Sequence, residues 1–295
     1  KNFWFNYQKK NNFVNFFLST LTYNLFKKID LESNKIIYPY EEKPYERAIN
    51  YNKKKFEKKN LYAYLINPRD NLALYFSNFK TLQIPRPEKY LFTGKIIANR
   101  FLKLKRKNLI SYSNSIVGTP KGQFGLSKFK KKNTFLILIG HPSEFDIFFK
   151  YLVNKNFKNK INFIFRFPLG VNIKNFKKKL INNKNFSISI NKSLIEDCKI
   201  SKFSIFSNTS AGIETVNLGL ITMWTKTYNI NLSPLDNSQN KYFFCSKNIS
   251  EFYFNIEKLS GLNSFDYRKK HQKQFNITKN ICSKLDLYKL KNIIK

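Results

Sequence analysis

The sequence predicts an α/β protein of two successive domains, each built on a doubly wound parallel sheet. Short apolar runs alternate with helix-like segments along most of the chain, which is typical of parallel β-α-β units. The chain has 295 residues, of which 42% are hydrophobic, so its length favours two domains with cores of their own. Its aromatic content of 17% excludes an intrinsically disordered chain, because such chains are poor in aromatic residues.

The first half of the chain ends in a segment with the composition of a linker. Residues Ser113–Asn133 combine three glycines with Pro120, many lysines and no hydrophobic periodicity, which is typical of a linker. We therefore place a partial first domain at residues 1–115 and the linker at 116–133. Upstream, the pattern predicts helices at Phe13–Phe26, Glu41–Lys55 and Lys95–Lys103, and strands at Lys35–Tyr38, Leu61–Ile66, Lys89–Thr93 and Leu109–Tyr112.

The second half alternates more regularly and predicts a second domain at residues 134–248, followed by a basic helical tail at 249–295. The predicted strands are Thr134–Ile139, Ile161–Arg166, Phe186–Ile190, Phe203–Phe206 and Leu220–Trp224. The predicted helices are Glu144–Asn154, Ile173–Asn182, Ser193–Cys198, Gly212–Leu218, Glu251–Leu259, Tyr267–Gln274 and Ser283–Ile293.

The composition is strongly basic, with a formal net charge of +36. This charge indicates either a polyanionic partner, nucleic acid or an anionic membrane, or the residue usage of an AT-rich genome, which favours Lys, Asn, Ile and Phe. The chain has 47 lysines and only 7 arginines, whereas recognition of phosphate at two points favours Arg. We therefore expect no nucleic-acid partner, and we expect peripheral contact with an anionic membrane.

The cysteines and histidines are too few and too scattered to predict a zinc site. Cys198, Cys245 and Cys282 form no C-x-x-C pair, and the only histidines are His141 and His271, so we expect no metal cofactor. Widely spaced cysteines are typical of a reducing compartment, which favours the cytoplasm. The sequence contains no run of 18 or more uncharged apolar residues, so we predict no membrane-spanning helix.

A phosphate-binding turn is predicted where the strand Phe203–Phe206 ends. The free N–H groups of a helix start carry partial positive charge and bind phosphate, and an acidic residue one turn further can accept hydrogen bonds from ribose hydroxyls. An ordinary capped helix is the alternative interpretation, because small polar residues are also good N-caps. The residues concerned are Ser207, Asn208, Thr209, Ser210, Gly212 and Glu214.

The pattern S-N-T-S-x-G-x-E-x-x-x-x-G, from Ser207 to Gly219, resembles the donor-site motif of GT-B-type glycosyltransferases. Upstream, I-N-F-I-F-R-F-P-L is similar to a strand of their sialyltransferase-like and capsule-polysaccharide branches, with Phe167 in place of a His. The resemblance implies that Arg166, before Phe167, and His141, after the first strand of the second domain, contact the donor phosphates. The alternatives are an ion pair at a strand end for Arg166 and a solvated turn for His141.

The segment Y-P-Y-E-E-K-P-Y-E-R-A, from Tyr38 to Ala48, is similar to the P-x-E-x-x-x-W-E-R signature of bacterial surface-polysaccharide glycosyltransferases, with Tyr45 for the Trp. We expect Glu41, directly after a strand, to be the general base that deprotonates an acceptor hydroxyl, and Glu46 to position the acceptor. The alternative is that both carboxylates favour the helix dipole. The family's next strand carries a His that Leu61–Ile66 lacks, which is compatible with altered or lost activity.

The resemblance extends by eye from Ile36 to Trp224 and implies two Rossmann-like domains of the GT-B type. The first is the acceptor side, incomplete because its start is expected to precede Lys1, and the second binds the nucleotide sugar. The implied activity is transfer of a sugar from a nucleotide-sugar donor to a glycan or glycolipid hydroxyl in cell-envelope polysaccharide biosynthesis. The alternatives are a nucleotide-sugar epimerase of the same fold, a non-catalytic subunit, and a basic nucleic-acid-binding protein.

Overall fold

The structure is a computed structural model that divides into two compact units. The first comprises Lys1–Thr119 and Leu285–Lys295, and the second Pro120–Lys284. The described residues are 18, 20–22, 24–25, 36–40, 49, 61–65, 87, 89–105, 113–120, 122, 124–125, 132–153, 155–181, 183–227, 235 and 241–294.

The described strands and helices alternate along most of the chain. In chain order they are β1 (Ile36–Tyr40), β2 (Leu61–Leu65), β3 (Lys89–Phe92), α1 (Lys95–Lys105), β4 (Ser113–Ile116), β5 (Asn133–Leu138), α2 (Pro142–Val153), β6 (Ile161–Arg166), α3 (Lys174–Leu180), β7 (Phe186–Ile188), α4 (Leu194–Ile200), β8 (Phe203–Phe206), α5 (Ala211–Asn217), β9 (Ile221–Thr225), β10 (Phe244–Ser246), α6 (Ile249–Ser260), α7 (Ser264–Ile281) and α8 (Leu287–Ile294).

The first unit contains a parallel sheet in the order β1-β2-β3-β4, the same as the order along the chain. β2 and β3 lie inside the sheet and are almost wholly buried, which is typical of parallel strands. The helical residues described at 18, 20–22 and 24–25 agree with the predicted first helix. The predicted strand Leu109–Tyr112 and most of the predicted helix Glu41–Lys55 lie outside the described residues.

The segment with the composition of a linker, Ser113–Asn133, begins with a strand. β4 pairs with β3 from Ser113 to Ile116, so only the last residue of this strand falls within the linker placed at 116–133. Its sequence, S-N-S-I, has little intrinsic β propensity, and its conformation comes from backbone pairing with a buried neighbour. The N–H groups of Val117 and Gly118 continue this contact by donating to the carbonyl of Phe92, at 3.0 and 3.2 Å.

The second unit contains a parallel sheet in the order β10-β9-β8-β5-β6-β7. The chain leaves β5 towards β6 and β7 and later returns to β8, on the other side of β5. This is the doubly wound order, and it confirms the predicted fold class. The strands β6 and β8 have the predicted bounds, whereas β10 was not predicted.

The core of the second unit is unusually aromatic. The ring of Phe135, on β5, lies 4.7 Å from that of Phe203 on β8 and 5.7 Å from that of Phe163 on β6. From the helices, Phe148 and Phe252 join the same cluster. Each buried aromatic side chain removes a large apolar area from water, so the Phe-rich composition serves the core of this unit.

The segment predicted as a separate basic tail is divided between the two units instead. α8 belongs to the first unit, where Leu290 and Ile293 pack against Tyr62, Leu91 and Val117. α6 and α7 belong to the second unit, and α7 lies against α5 and β9. Both of these helices contribute buried residues to the core.

The buried face of α7 is largely polar, and its polar groups are paired with backbone. The Gln274 side chain accepts from Thr222 N and donates to Thr222 O, both at 2.8 Å. His271 Nε2 lies 2.8 Å from the carbonyl of Val216, and burial lowers the pKa of this imidazole, so His271 is a neutral, structural histidine. Among the described helices, none is long and apolar enough to cross a membrane.

Candidate functional site

The sheet of the second unit has a topological switch point between β5 and β8. The chain runs from β5 to one side of the sheet and from β8 to the other, so the turns after these two neighbouring strands diverge. In open α/β sheets, ligands bind in the crevice that such diverging turns leave at the carboxyl ends of the strands. The turns concerned are 139–141 and 207–210.

The turn after β8 is built of small polar residues held by specific contacts. The hydroxyl of Ser207 is buried and lies 2.5 Å from that of Thr227, while the Ser207 carbonyl accepts from Trp224 Nε1 at 3.1 Å. Asn208, Thr209 and Ser210 are half-buried. The turn is therefore anchored at its base and accessible beyond it.

The helix start after this turn is not an ordinary capped one. Ser210 occupies the N-cap position without a side-chain capping bond, and Thr209 Oγ1 accepts from Ala211 N instead, at 3.2 Å. Glu214 lies in the first turn of α5 and is partly exposed. The N–H groups of Ala211 and Ile213 already donate, to Thr209 Oγ1 and to the Ser210 carbonyl, so an anionic oxygen bound at this start would share or replace these bonds.

The two glycines of the predicted motif have identifiable packing roles. A Cβ on Gly212 would lie 2.3 Å from Cγ of Phe206, so glycine lets the start of α5 lie directly on the end of β8. Gly219 has a φ of 97° and ends α5 with the two reverse hydrogen bonds of a Schellman motif, Gly219 N to Val216 O and Leu220 N to Thr215 O.

Glu144 joins the two turns at the switch point. Its carboxylate is fully buried: Oε2 accepts from Gly140 N at 2.6 Å and His141 N at 3.3 Å, and Oε1 accepts from Asn208 Nδ2 at 2.9 Å. Burial raises the pKa of Glu144, and the N–H donors of Gly140, Asn208 and His141 oppose that rise. A Cβ on Gly140 would lie 3.1 Å from Asn208 O, so the two turns are in close contact.

Sequence reasoning placed Glu144 at a helix start but gave it no functional role. The available signal was the spacing: Pro142 at the first helical position and Glu144 two residues later are typical of a helix N-terminus in which the acid accepts from the N-cap N–H. The bond from His141 N fulfils that pattern. The bond from Asn208 could not be anticipated, because that residue is 64 positions away.

His141 is exposed in the turn after β5. Its Nδ1 accepts from Ser143 N at 3.3 Å and lies 2.8 Å from Ser143 Oγ. Because Nδ1 accepts a hydrogen bond, we assign the proton of the neutral ring to Nε2, which is then a donor. The structure thus brings His141 and the turn 207–210 to one edge of the sheet, joined through Glu144.

Arg166 forms an ion pair at the end of β6, which was the alternative to a contact with the donor phosphates. Its Nη1 lies 2.5 Å from Oδ2 of the buried Asp197, and further donors reach the carbonyls of Asn191, Lys192 and Ser193 at 3.1 to 3.4 Å. The guanidinium therefore holds the turn between β7 and α4.

The next residue, Phe167, packs against other phenylalanine side chains. Its ring centre lies 5.6 Å from that of Phe145 and 4.6 Å from that of Phe176.

One further polar group lies at this edge of the sheet, on β9. In the described part of the chain, the buried Thr225 hydroxyl at the end of β9 has no hydrogen-bond partner, and a bound water or ligand can supply one. No three His, Cys, Asp or Glu side chains of the described residues are grouped as a metal site.

The predicted catalytic residues, Glu41 and Glu46, lie outside the described residues. In the first unit, β1 ends at Tyr40, immediately before Glu41.

No protein-family model matches the sequence, and no curated protein is similar to it. Solved structures are similar in fold. The GtfA/B complex is 10% identical, with a TM-score of 0.55 over 96% of this chain and 60% of that one. The accessory secretory protein 1,2 and 3 structure from Streptococcus pneumoniae is 12% identical, with a TM-score of 0.50 over 95% of this chain and 57% of that one.

A third similar structure is the N-terminal domain of trehalose-6-phosphate phosphatase from Candida albicans. It is 10% identical, with a TM-score of 0.52 over 87% of this chain and 68% of that chain. The present chain therefore spans about 57 to 60% of the length of the first two structures. At these identities the likeness concerns the fold, and it agrees with the predicted Rossmann-like organisation of the GT-B type.

Proposed function

We propose that this chain is a glycosyltransferase that moves a sugar from a nucleotide-sugar donor to a hydroxyl of a surface polysaccharide or glycolipid. The observation that carries the proposal is the joined pair of turns at the switch point, with His141 on one, Ser207–Ser210 on the other and Glu144 between them. The GT-B type of fold supports it, and so does the donor-site motif at Ser207–Gly219.

In this proposal the donor phosphates lie against the turn Ser207–Ser210 and the start of α5. Backbone N–H groups and hydroxyls there donate to phosphate oxygens, and His141 Nε2 adds a donor from the neighbouring turn. Glu214, partly exposed on α5, accepts from the ribose hydroxyls. We propose that the transfer needs no metal ion and that Arg166 acts indirectly, by holding the neighbouring turn.

Catalysis is assigned to the first unit on the sequence signature alone. We propose Glu41 as the base that removes the proton of the acceptor hydroxyl, and Glu46 as a group that positions the acceptor. A strand-end carboxylate suits the first role, because the carboxyl ends of parallel strands are where sites form in such sheets, and general-base catalysis needs a proton acceptor within hydrogen-bond reach.

The experiment separates donor binding from catalysis with two variants and a control. Calorimetry with a panel of nucleotide sugars identifies the donor of the wild-type protein. Glu214→Ala should then weaken its binding by about 1–3 kcal/mol, the cost of lost hydrogen bonds to a charged group. Glu41→Gln should lower turnover by about 10²–10⁴-fold and leave donor binding unchanged. Glu196→Ala removes an exposed carboxylate on α4 and should change neither.

Three results would contradict the proposal or one of its assignments. If no nucleotide sugar binds the folded wild-type protein, the donor site does not exist. If Glu214→Ala binds the donor as tightly as Glu196→Ala does, the ribose contact is wrong. Near-normal turnover of Glu41→Gln would show that another group is the base.

We also propose that the protein lies at the cytoplasmic face of an anionic membrane. The support is its net charge of +36 and the exposed phenylalanines on the last two helices of the second unit, Phe254 on α6 and Phe265 on α7. Basic side chains are attracted to anionic lipids, and exposed aromatic rings insert at the lipid interface.

A further inference from the structure

A cavity of about 460 Å³ lies at the opposite edge of the second sheet from the switch point. Its walls include Ile161, where β6 begins, and Phe186, where β7 begins, together with the carboxyl end of α2 and the turn 183–185. The turns of the proposed donor site follow the carboxyl ends of parallel strands, so the strand length of the sheet separates the cavity from them. Its volume is within the range of about 300–1,000 Å³ that is usual for ligand pockets.

The rim of the cavity is basic and rich in amides. Lys155, Lys160 and Lys184 line it and are exposed, and four asparagines accompany them. Among the described residues that line the cavity, none is acidic. The nearby Glu257 carboxylate accepts from the backbone N–H of Lys158, at 3.0 Å. The lining asparagines are Asn156, Asn159, Asn183 and Asn185.

The floor of the cavity is aromatic but only partly accessible. Phe163 is 2% exposed, and its ring lies 5.8 Å from that of Phe157 and 5.6 Å from that of Phe186. Phe157 and Phe186 are half-buried. The floor therefore offers a limited apolar area to a ligand, and the ring of Phe163 is closed to stacking.

We propose that this cavity, the basic pocket, binds a negatively charged sugar unit of a glycan. Lysine ammonium groups pair with carboxylate or phosphate, and amides both donate to and accept from hydroxyls. The half-buried side chains of Phe157 and Phe186 supply apolar area for contact with the C–H groups of a sugar. A nucleic-acid strand fits less well, because base stacking needs open aromatic faces. The pocket does not depend on the proposed glycosyl transfer, since its residues are remote from the donor turns.

The test is binding of digalacturonate, an acidic disaccharide, to the full chain by calorimetry at physiological ionic strength. Maltose, a neutral disaccharide, and a short single-stranded RNA are the comparison ligands. The variant Lys155→Gln/Lys160→Gln/Lys184→Gln removes the three ammonium groups of the pocket. The control Lys177→Gln/Lys178→Gln/Lys199→Gln removes three exposed lysines of α3 and α4, so both proteins lose the same charge.

Digalacturonate should bind the wild-type and control proteins similarly, and the pocket variant about tenfold more weakly, because each exposed charge pair contributes a few-fold. Maltose should bind much more weakly than digalacturonate to all three. The proposal would be overturned if digalacturonate affinity fell equally in the pocket variant and the control, or if the wild type bound no digalacturonate. It would also be overturned if maltose bound as tightly as digalacturonate. Tighter RNA binding that is lost only in the pocket variant would overturn it in favour of a nucleic-acid site. Nucleotide-sugar binding should be unchanged in the pocket variant, which separates this test from that of the donor site.

Discussion

The chemistry of the switch point depends on the charge state of one buried side chain. All the groups that contact the Glu144 carboxylate are N–H donors, from Gly140, His141 and Asn208. A carboxylate matches them, because it offers only acceptors, whereas a protonated acid would direct its O–H against a donor. Burial opposes the charge and raises the pKa of Glu144, so these hydrogen bonds are what stabilises the ionised form.

Replacing Glu144 with Gln should therefore loosen the site with little change of shape. The amide NH₂ would face an N–H donor, and a lost buried hydrogen bond costs about 1–3 kcal/mol of unfolding free energy. Because the two turns are then less firmly joined, donor binding should also weaken. Chemical denaturation measures the first effect and calorimetry with the nucleotide sugar measures the second.

A matched control exists at the start of α6. There Glu251 lies in the first turn, its N–H donates to Oδ1 of the N-cap Asn248 at 2.9 Å, and its carboxylate accepts from Lys247 N at 2.7 Å, in a solvent-exposed position. Glu251→Gln should cost less stability, because water replaces the lost bond, and should leave donor binding unchanged. If Glu144→Gln lowered stability but bound the donor like Glu251→Gln, the joining of the turns would not matter for binding.

Sequence reasoning located the residues of the site better than it assigned their contacts. The motif Ser207–Gly219 predicted a strand, a polar turn and a helix, and the structure contains all three, including the helix stop at Gly219. The partners of Glu144 and Arg166 could not be predicted from the sequence, because Asn208 and Asp197 are 64 and 31 positions away along the chain. Local patterns reveal capping and turns, whereas such distant pairs depend on the tertiary fold.

The helix α7 shows how hydrophobic periodicity can mislead. Its buried face carries the polar residues Gln274 and Thr278, so the hydrophobic periodicity is weak. The sequence therefore predicted a helix only at Tyr267–Gln274, whereas α7 extends from Ser264 to Ile281. The buried polar groups are satisfied, however: Gln274 bonds to both backbone groups of Thr222, just before the point where β10 begins to pair with β9. Thr278 Oγ1 donates to Asn217 Oδ1 at 2.6 Å.

Gln274→Leu should destabilise the second unit strongly. Leucine has a similar size but leaves the N–H and carbonyl of Thr222 buried without their partner, and each such group costs about 1–3 kcal/mol. Gln272→Leu is the control, because Gln272 is exposed on the same helix and exposed substitutions usually change stability by less than about 0.5 kcal/mol. The midpoint of urea unfolding should fall clearly for Gln274→Leu alone; equal midpoints would contradict the anchoring role of α7.

The charge of the whole molecule cannot be neutralised internally. The chain has 54 basic and 18 acidic residues, so even if each acid paired with one base, 36 basic side chains would remain without an acidic partner. One such pair, Lys179 with Asp146, is itself largely exposed and contributes little to stability. Unpaired surface charge of one sign repels itself, so an anionic surface that binds the protein should also stabilise it.

The last helices of the second unit combine this charge with exposed aromatic rings. Phe254 on α6 is 64% exposed and Phe265 at the start of α7 is 72% exposed. Lys258 Nζ lies 5.5 Å from the centre of the Phe254 ring, and Arg268 and Lys269 are exposed one turn after Phe265. Aromatic rings beside basic groups are typical of helices that bind at the interface of anionic membranes.

The protein should therefore float with liposomes that contain phosphatidylglycerol at low salt and be released at high salt, because salt screens the attraction between exposed charges. The double variant Phe254→Ser/Phe265→Ser should bind these liposomes more weakly. Leu287→Ser/Tyr288→Ser, which changes two exposed residues of α8, should bind them normally. Equal flotation with neutral phosphatidylcholine liposomes, or binding that resists salt, would contradict an electrostatic contact. If the two double variants bound equally well, the membrane contact would lie elsewhere on the surface.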